Sequence, residues 1–485
     1  MCADERLSVD TAQAVTPEDP GRLCRAATCR EKPGYRARNP KDSPLSKIVL
    51  NNLPEFEQWL KRPPGQQPRP HPGAITALEK FAECGVARYG VVRFRCPECG
   101  RDMFVAFSCK RRGLCPSCDA KRSAIITIQA LDRLLAFVPY RQWVLVIPKR
   151  LRYFINRNPV LAGELSKIFA REINRFLCRD SSGMPAQLHF IQRFGGSLNL
   201  HIHVHAVVSD GVFNLKTNML GLRELAFTPV ACPTAEQLAA IVTAVRKKLI
   251  RRICRTSGLG REAAADLLAW KNSGFSIHKE VNINAGDRKG LKHLVGYCAR
   301  PALSQQRLVY AEKTNTVIYR TAPKEGKSEI LVMSPIEFLR RWTLLMPPPN
   351  KNLIHYYGAL APRSPLRPAV VLQAEKETQK LAQEERDDKP QKNNSWAACL
   401  ARIFEIYPLI CPQCKLEMRP VAVILNDKEL VRLLTHLGLP SELPKFKPAT
   451  QAALYEHACG PPDEDCQPDP KGDLYEVIEP APADD

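Results

Sequence analysis

The sequence predicts an α+β protein, with a central antiparallel sheet flanked by helices and preceded by a small cysteine-rich module. Three observations carry that expectation. Residues 186–213, AQLHFIQRFGGSLNLHIHVHAVVSDGVF, place two apolar runs, 187–194 and 198–208, on either side of Gly195 and Gly196, which is the pattern of a β-hairpin. Residues 234–255, TAEQLAAIVTAVRKKLIRRICR, repeat apolar positions at the helical period behind Thr234, a suitable N-cap. Cys96, Cys99, Cys115 and Cys118 follow the C-x2-C-x15-C-x2-C spacing of a small metal-held fold.

Length and composition bound the reading. At 485 residues the chain can hold two to four domains, and its 44% hydrophobic content is that of a globular protein. No run of about 18 uncharged apolar residues occurs, and MCADERLSVD lacks a basic-then-apolar signal pattern, so a cytoplasmic, non-membrane protein is expected. The formal net charge is +21 although residues 460–485 are acidic, so the body of the chain is more basic still. Such a body suggests a polyanionic partner, most simply nucleic acid. Eighteen cysteines, several in C-x2-C pairs, suit metal thiolates better than disulfides in this setting.

Taken in order, residues 1–45 are rich in Pro, Arg and Asp without periodicity, and the expectation is a flexible basic arm over 1–70. A short helix over 74–84 leads into RCPECGRDMFVAFSCKRRGLCPSCDAKR, where Cys96, Cys99, Cys115 and Cys118 would bind one structural Zn²⁺ and Cys109 is a spare thiol. Lys110, Arg111, Arg112, Lys121 and Arg122 surround the thiolates and can meet phosphate. RQWVLVIPK (141–149) reads as a buried strand and 159–178 as an amphipathic helix. After the hairpin, helix 234–255 ends in a cationic cluster that could follow a DNA backbone or simply be solvated. Residues 275–285 alternate as a strand, and 287–300 form a short helix carrying Tyr297, stopped near Pro301. Strands over 307–311, 316–321 and 329–333 and a helix opened by Ser334 and Pro335 follow. Residues 374–395 are a charged linker or exposed helix, a helix resumes over 396–407, and Cys411-Pro-Gln-Cys414 is half of a second knuckle whose partner is not apparent; His457, Cys459 and Cys466 are weak candidates.

The chemistry centres on the hairpin. Alternate strand residues share a face, so His201, His203 and His205 project together, three of ten histidines at period two. Folding the hairpin about 197–198 sets Gln192 opposite His203 on that face, making Gln192 a candidate third ligand to a divalent ion on His203 and His205. A tyrosine hydroxyl is a poor nucleophile at neutral pH. A metal that polarises a phosphate and neutralises its developing charge makes Tyr297 a credible nucleophile for phosphodiester cleavage.

On these residues the chain resembles the HUH-superfamily transposases of the insertion sequence 91 family and the related insertion sequence common region elements. The resemblance rests on FSCKRRGLCPSC, RQWVLVIP, FIQRFGGSLNLHIHVHAVVSDGVF, GYCARPALSQQRL, SPIEFLRRW and HYYGALAPRSPLR, in order from about residue 71 to 435. It implies His203-Val204-His205 as the His-hydrophobic-His metal motif, with Asp210-Gly211 following at the family's distance and His201 beside it. It also implies Gln192 in the Gln-Arg-Phe stretch and Tyr297 as the catalytic tyrosine before Arg-Pro. Founding members carry a second tyrosine four residues earlier; His293 stands there in this sequence, which places it in a single-tyrosine branch.

The resemblance further implies an HUH endonuclease-like catalytic domain over 136–345 after a DNA-binding zinc module over 71–135. An extension over 346–395 and a C-terminal helical region over 396–485 follow. The implied activity is cleavage and rejoining of single-stranded DNA at the element's ends in rolling-circle transposition, through a 5′-phosphotyrosine. Mg²⁺ or Mn²⁺ would be the catalytic ion, and Arg300 and Arg307 would join the other basic residues on the strand. A nucleoid-associated bacterial protein, with a homo-oligomer compatible, is the corresponding expectation. Two rivals stand beside this reading: a relaxase or replication-initiator nickase of the same superfamily, and a non-enzymatic zinc-finger DNA-binding protein.

Overall fold

The computed structural model describes residues 40–449 apart from 64–67, 218–220, 222, 271–272, 324–327, 388–410 and 415. The helix expected over 396–407, the histidine and cysteines at 457–466 and the acidic tail lie outside the described residues.

The chain enters through α1 (Pro44–Lys61), capped by Ser43, whose hydroxyl accepts from the Ser46 N–H, and α2 (Ala74–Ala82). The expectation of a flexible arm through residue 70 is therefore corrected over α1. Leu45, Ile48, Val49, Leu53 and Phe56 recur at helical spacing and are buried against α2 and a later helix, so an apolar stripe outweighs the prolines around it. Two short strands, β1 (Val91–Arg95) and β2 (Asp102–Ala106), pair as a hairpin about the Cys96–Cys99 turn, and α3 (Pro116–Gln129) starts at Cys115 with proline in its first turn.

The body is a three-layer arrangement. It comprises β3 (Tyr140–Val146), α4 (Lys149–Arg157), α5 (Val160–Leu177), β4 (Ala186–Phe194) and β5 (Leu200–Ser209). The hairpin β6 (Gly211–Thr217) and β7 (Arg223–Pro229) follows, then α6 (Ala235–Ser257), α7 (Arg261–Ala269), β8 (Ser276–His278), β9 (Asn282–Ile283) and α8 (Arg288–Cys298). A small meander, β10 (Leu308–Ala311), β11 (Thr316–Arg320) and β12 (Ile330–Met333), precedes α9 (Pro335–Leu344), β13 (Ile354–Gly358) and α10 (Arg367–Asp387). The chain closes with β14 (Arg419–Ile424) and α11 (Asp427–His436).

The central sheet has the order β13-β4-β5-β3-β8, with β9 also paired to β3, all antiparallel. Ile202, Val204, Ala206 and Val208 of β5 pack on α5 and α6 in one core. Leu188, Phe190 and Val207 on the opposite face pack under α8 and α10 in another. The protein is thus α+β, as its patterning predicts. Thr234 forms a full capping box on α6, accepting from the Gln237 N–H while the Gln237 side chain accepts from the Thr234 N–H. The turn between β4 and β5 closes through the Gly195 N–H to Asn199 O (3.1 Å), and Leu198, not a glycine, takes the left-handed backbone (φ 58°). Its side chain is buried in the N-terminal core, which compensates the strain.

The cysteines combine differently from the spacing-based expectation. Cys115 and Cys118 gather with Cys84 and Cys109, while Cys96 and Cys99 gather with Cys411 and Cys414; within each set the sulfurs all lie within 4.8 Å of one another. The single four-sulfur site on Cys96, Cys99, Cys115 and Cys118 does not form. Each C-x2-C turn fixes two sulfurs locally, but β1 and β2 carry the first pair to one end of the hairpin and leave the second pair at the start of α3. Cys109, expected as spare, is a member of the first set. All twelve described cysteines are unpaired as disulfides.

Candidate active site

The β4–β5 register sets Gln192 opposite His203 and Phe190 opposite His205, so Gln192 and both histidines share a face. β3 lies on the other side of β5, with Val146 opposite His203 and Val144 opposite His205, which brings Gln142 onto the same face. The row is covered rather than open to water: His201, His203 and His205 are buried, as is Gln192. The cover is the C-terminal end of α8, held by the Gln192 amide, whose Nε2 donates to Tyr297 O (3.3 Å) and Cys298 O (2.9 Å).

His203 Nε2 and His205 Nε2 face each other at 3.0 Å. His203 Nδ1 lies 3.0 Å from His201 O, a carbonyl that can only accept, so Nδ1 carries the hydrogen and Nε2 presents a lone pair. His205 Nδ1 lies 2.8 Å from the Gln142 amide. Gln192 Oε1 is buried with no hydrogen-bond partner among the described residues. An orphaned amide oxygen and two ring nitrogens converging on one face are residues that could hold a divalent ion. The residues therefore fit such an ion. Burial first, then the neighbouring His205 and His201, drives His203 well below the usual histidine range. His205 is pushed down to about 3 by burial first and by Arg300 and His201 next. Both imidazoles are neutral and available as ligands at pH 7.

The Tyr297 ring stands against His205, with centroids 5.6 Å apart at 88°, and the Arg300 guanidinium lies 4.5 Å over the Tyr297 ring and 5.5 Å from that of Phe194. The adjacent Cys298 thiol is buried and pushed up to about 12, which leaves it protonated and inert. A cleft of about 810 Å³ opens beside Gln192, lined by Arg112, Arg122, Arg193, Arg300, Phe194 and Tyr356 among others. Lys110, Arg111, Lys121 and Arg307 are not on that lining; Lys110 and Arg111 are exposed elsewhere on the N-terminal module. Arg112 donates to Lys351 O, and Arg122 sits 3.6 Å from Asp119.

Sequence reading passed over Arg193. It is buried on the cleft, donates to Asn156 Oδ1 (2.6 Å) and Leu345 O (3.3 Å), and burial lowers it to about 10, still protonated at neutral pH. Its place between Gln192 and Phe194 was the signal available. The cationic end of α6 is partly absorbed by internal pairing: Arg246 donates to Leu267 O and Trp270 O, Lys248 pairs with Glu172, and Arg252 lies 3.6 Å from Glu164.

Two family models match the chain. Residues 55–147 match the family described as "Transposase zinc-binding domain" of insertion sequence 91 type, and residues 187–367 match the family described as "Putative transposase". Both models describe transposases, and the two matches together are consistent with a transposase of the insertion sequence 91 family. The first match contains Cys84, Cys109, Cys115 and Cys118, and the second contains Gln192, His203, His205 and Tyr297. A curated relative, the "Putative transposase y4qJ" of Sinorhizobium fredii, is 24% identical over 308 residues, spanning 60% of this chain and 74% of the relative. No solved structure matches. The zinc-binding match and the cysteine clusters together support structural zinc in this transposase. Among the described residues no helix is long and apolar enough to cross a membrane.

Proposed function

We propose that this transposase cuts and rejoins single-stranded DNA at the ends of its element, with Tyr297 as the nucleophile. The observation that carries the reading is the placement of the Tyr297 ring against His205, one of two neutral imidazoles whose Nε2 atoms converge beside the orphaned Gln192 oxygen. His203, His205 and Gln192 would hold Mg²⁺ or Mn²⁺, which when bound polarises the scissile phosphate and offsets its developing charge.

The protein's own residues do the rest. The Arg112, Arg122, Arg193 and Arg300 guanidiniums hold the phosphate backbone in the cleft, and Phe194 and Tyr356 offer ring faces to bases, each stack contributing about 1–3 kcal/mol. Arg300 stacks over the Tyr297 ring and keeps a cation beside it. The Tyr297 oxygen attacks phosphorus, the bond from phosphorus to the 3′-oxygen breaks, and that oxygen leaves as a 3′-hydroxyl with the proton balance supplied by the phenol. The product is a 5′-phosphotyrosine, whose ester retains the bond energy that the reverse attack by a 3′-hydroxyl uses for joining. With His293 exposed on α8 in place of a second tyrosine, one tyrosine would serve both steps in turn.

The test is a denaturation-resistant adduct between purified protein and labelled single strands spanning the element's ends. The expected adduct needs Mn²⁺ or Mg²⁺, is lost with chelator, and is lost in Tyr297→Phe and His203→Ala. Cleavage persisting in Tyr297→Phe without an adduct would replace the tyrosine with water. Binding without cleavage on the correct ends would favour a DNA-binding protein only.

A further inference from the structure

We infer that this chain holds a second structural zinc ion, on Cys96, Cys99, Cys411 and Cys414, and that this ion clasps the segment 411–449 to the N-terminal module across the entire catalytic region. The matched zinc-binding domain ends at residue 147, so half of this ligand set comes from outside it.

Geometry carries the assignment. Four sulfurs lie within 4.8 Å of one another, with Cys99 and Cys411 at 3.6 Å. Zn–S bonds of about 2.3 Å in a tetrahedron put sulfurs about 3.8 Å apart, so the spacing is that of a closed four-thiolate site and too long for a disulfide. Both halves are Cys-Pro-x-Cys turns of the same local form. The Cys96 N–H donates to Arg101 O (2.9 Å) and the Cys411 N–H to Leu416 O (2.7 Å), and each turn leads into a strand of the same sheet. β14 then pairs antiparallel with β1, from Val91 opposite Ile424 to Arg95 opposite Arg419, completing a three-stranded ribbon in the order β14-β1-β2.

The apolar support at this end is slight. Met418 is the sole buried non-cysteine residue of its cluster, backed by half-buried Phe94 and Met103, while Val421, Val423 and Leu425 are exposed. A core that small does not order a ribbon without a metal or other cross-link. The remaining attachments are α11, which carries buried Leu430 and Leu434 and packs on Ala87–Tyr89, an Arg88–Asp427 pair on the surface, and the Lys447 N–H to Leu50 O (2.9 Å). Removing the ion should therefore free 411–449 while the Cys84, Cys109, Cys115 and Cys118 site stays intact.

Three measurements on the full-length chain test this. Zinc is counted by atomic emission on a His203→Ala background, so that the histidine site contributes none. The parent should hold two per chain, and Cys411→Ser with Cys414→Ser should hold one. On unmutated protein, native alkylation read by mass spectrometry should find Cys96, Cys99, Cys411 and Cys414 protected together, then labelled together as chelator is added, with exposed Cys232 as the reactive control. With a protease site inserted in 388–410, the cut chain should elute as one particle in zinc and release its C-terminal piece with chelator. An unchanged zinc count in the double variant, or Cys411 labelling as fast as Cys232 in zinc, would overturn the site. A cut piece that stays attached after zinc removal would overturn the clasp. None of these readings depends on DNA cleavage.

Discussion

The two faces of the β4–β5 hairpin each bury histidine, and their hydrogen bonds close on one face and not on the other. On the α5 side, Tyr357 donates to Ser166 Oγ (3.2 Å) and Ser166 to His189 Nδ1 (3.1 Å). His189 Nε2 donates to Gln187 Oε1 (3.1 Å), and Gln187 Nε2 to Ala170 O (3.2 Å). Every member is satisfied within the protein. On the α8 side, the Nε2 atoms of His203 and His205 face each other at 3.0 Å beside an oxygen without a donor. Burial is the leading cause of a downward shift in both places, and it takes His189 and His205 alike to about 3. A shifted pKa thus does not separate a packed histidine from a ligand. The donor and acceptor accounting does, because a structural network has no reason to leave a buried oxygen unpaired.

Substitution should break the comparison most sharply at its centre. His203→Ala is expected to reduce metal-dependent cleavage by the folded fraction to the level of the chelated protein. His189→Ala should do the opposite. It orphans Gln187 Oε1 and opens a cavity, costing about 3 kcal/mol by chemical denaturation while the folded fraction cleaves at the parental rate. Equal activity losses in the two variants would show that the faces are not functionally distinct.

Gln142→Leu sharpens the contrast within the ligand face. Gln142 Nε2 donates to His205 Nδ1; turned about its amide, its Oε1 would accept from Nδ1–H and hold the tautomer that leaves Nε2 free for an ion. Its loss should raise the metal concentration needed for half-maximal cleavage about 10–100-fold, with near-parental rate at saturation. An unchanged metal titration would remove Gln142 from the site.

The smallest expected effect is in pH. His189 has a folded pKa near 3 against an ordinary 6.5, so between those values the unfolded chain binds a proton that the folded chain does not. Its contribution is complete above 6.5 and falls as pH drops, by about 2 kcal/mol at pH 5. Denaturation midpoints across pH 5–7.5 should show that slope, lessened in His189→Gln and not abolished, because His205 is shifted in the same direction.

Much of the geometry of the candidate site was legible beforehand because strand geometry is local. Period two put His203 and His205 on one face, and a glycine-bearing turn fixed Gln192 opposite His203, as the register has it. Gln142 was not legible: its strand precedes the hairpin by some forty residues, and only the sheet order brings it beside His205. Burial of the imidazole row was hidden for the same reason, since α8 had to fold back over it. The helix over 44–61 was missed because its prolines outweighed a clear apolar stripe.

The cysteines mark the boundary most clearly. The sequence by itself determined that each Cys-x2-Cys turn is a two-sulfur half-site. Which halves join was decided by tertiary structure alone. Loop-closure cost grows only with the logarithm of length, so closing the 312-residue separation of Cys99 and Cys411 in place of the 15-residue spacing adds just about 3 kcal/mol. A structural zinc site contributes about 10–16 kcal/mol. Sequence distance is therefore a weak guide among chemically identical half-sites, and the pairing of β14 with β1 settles their partners.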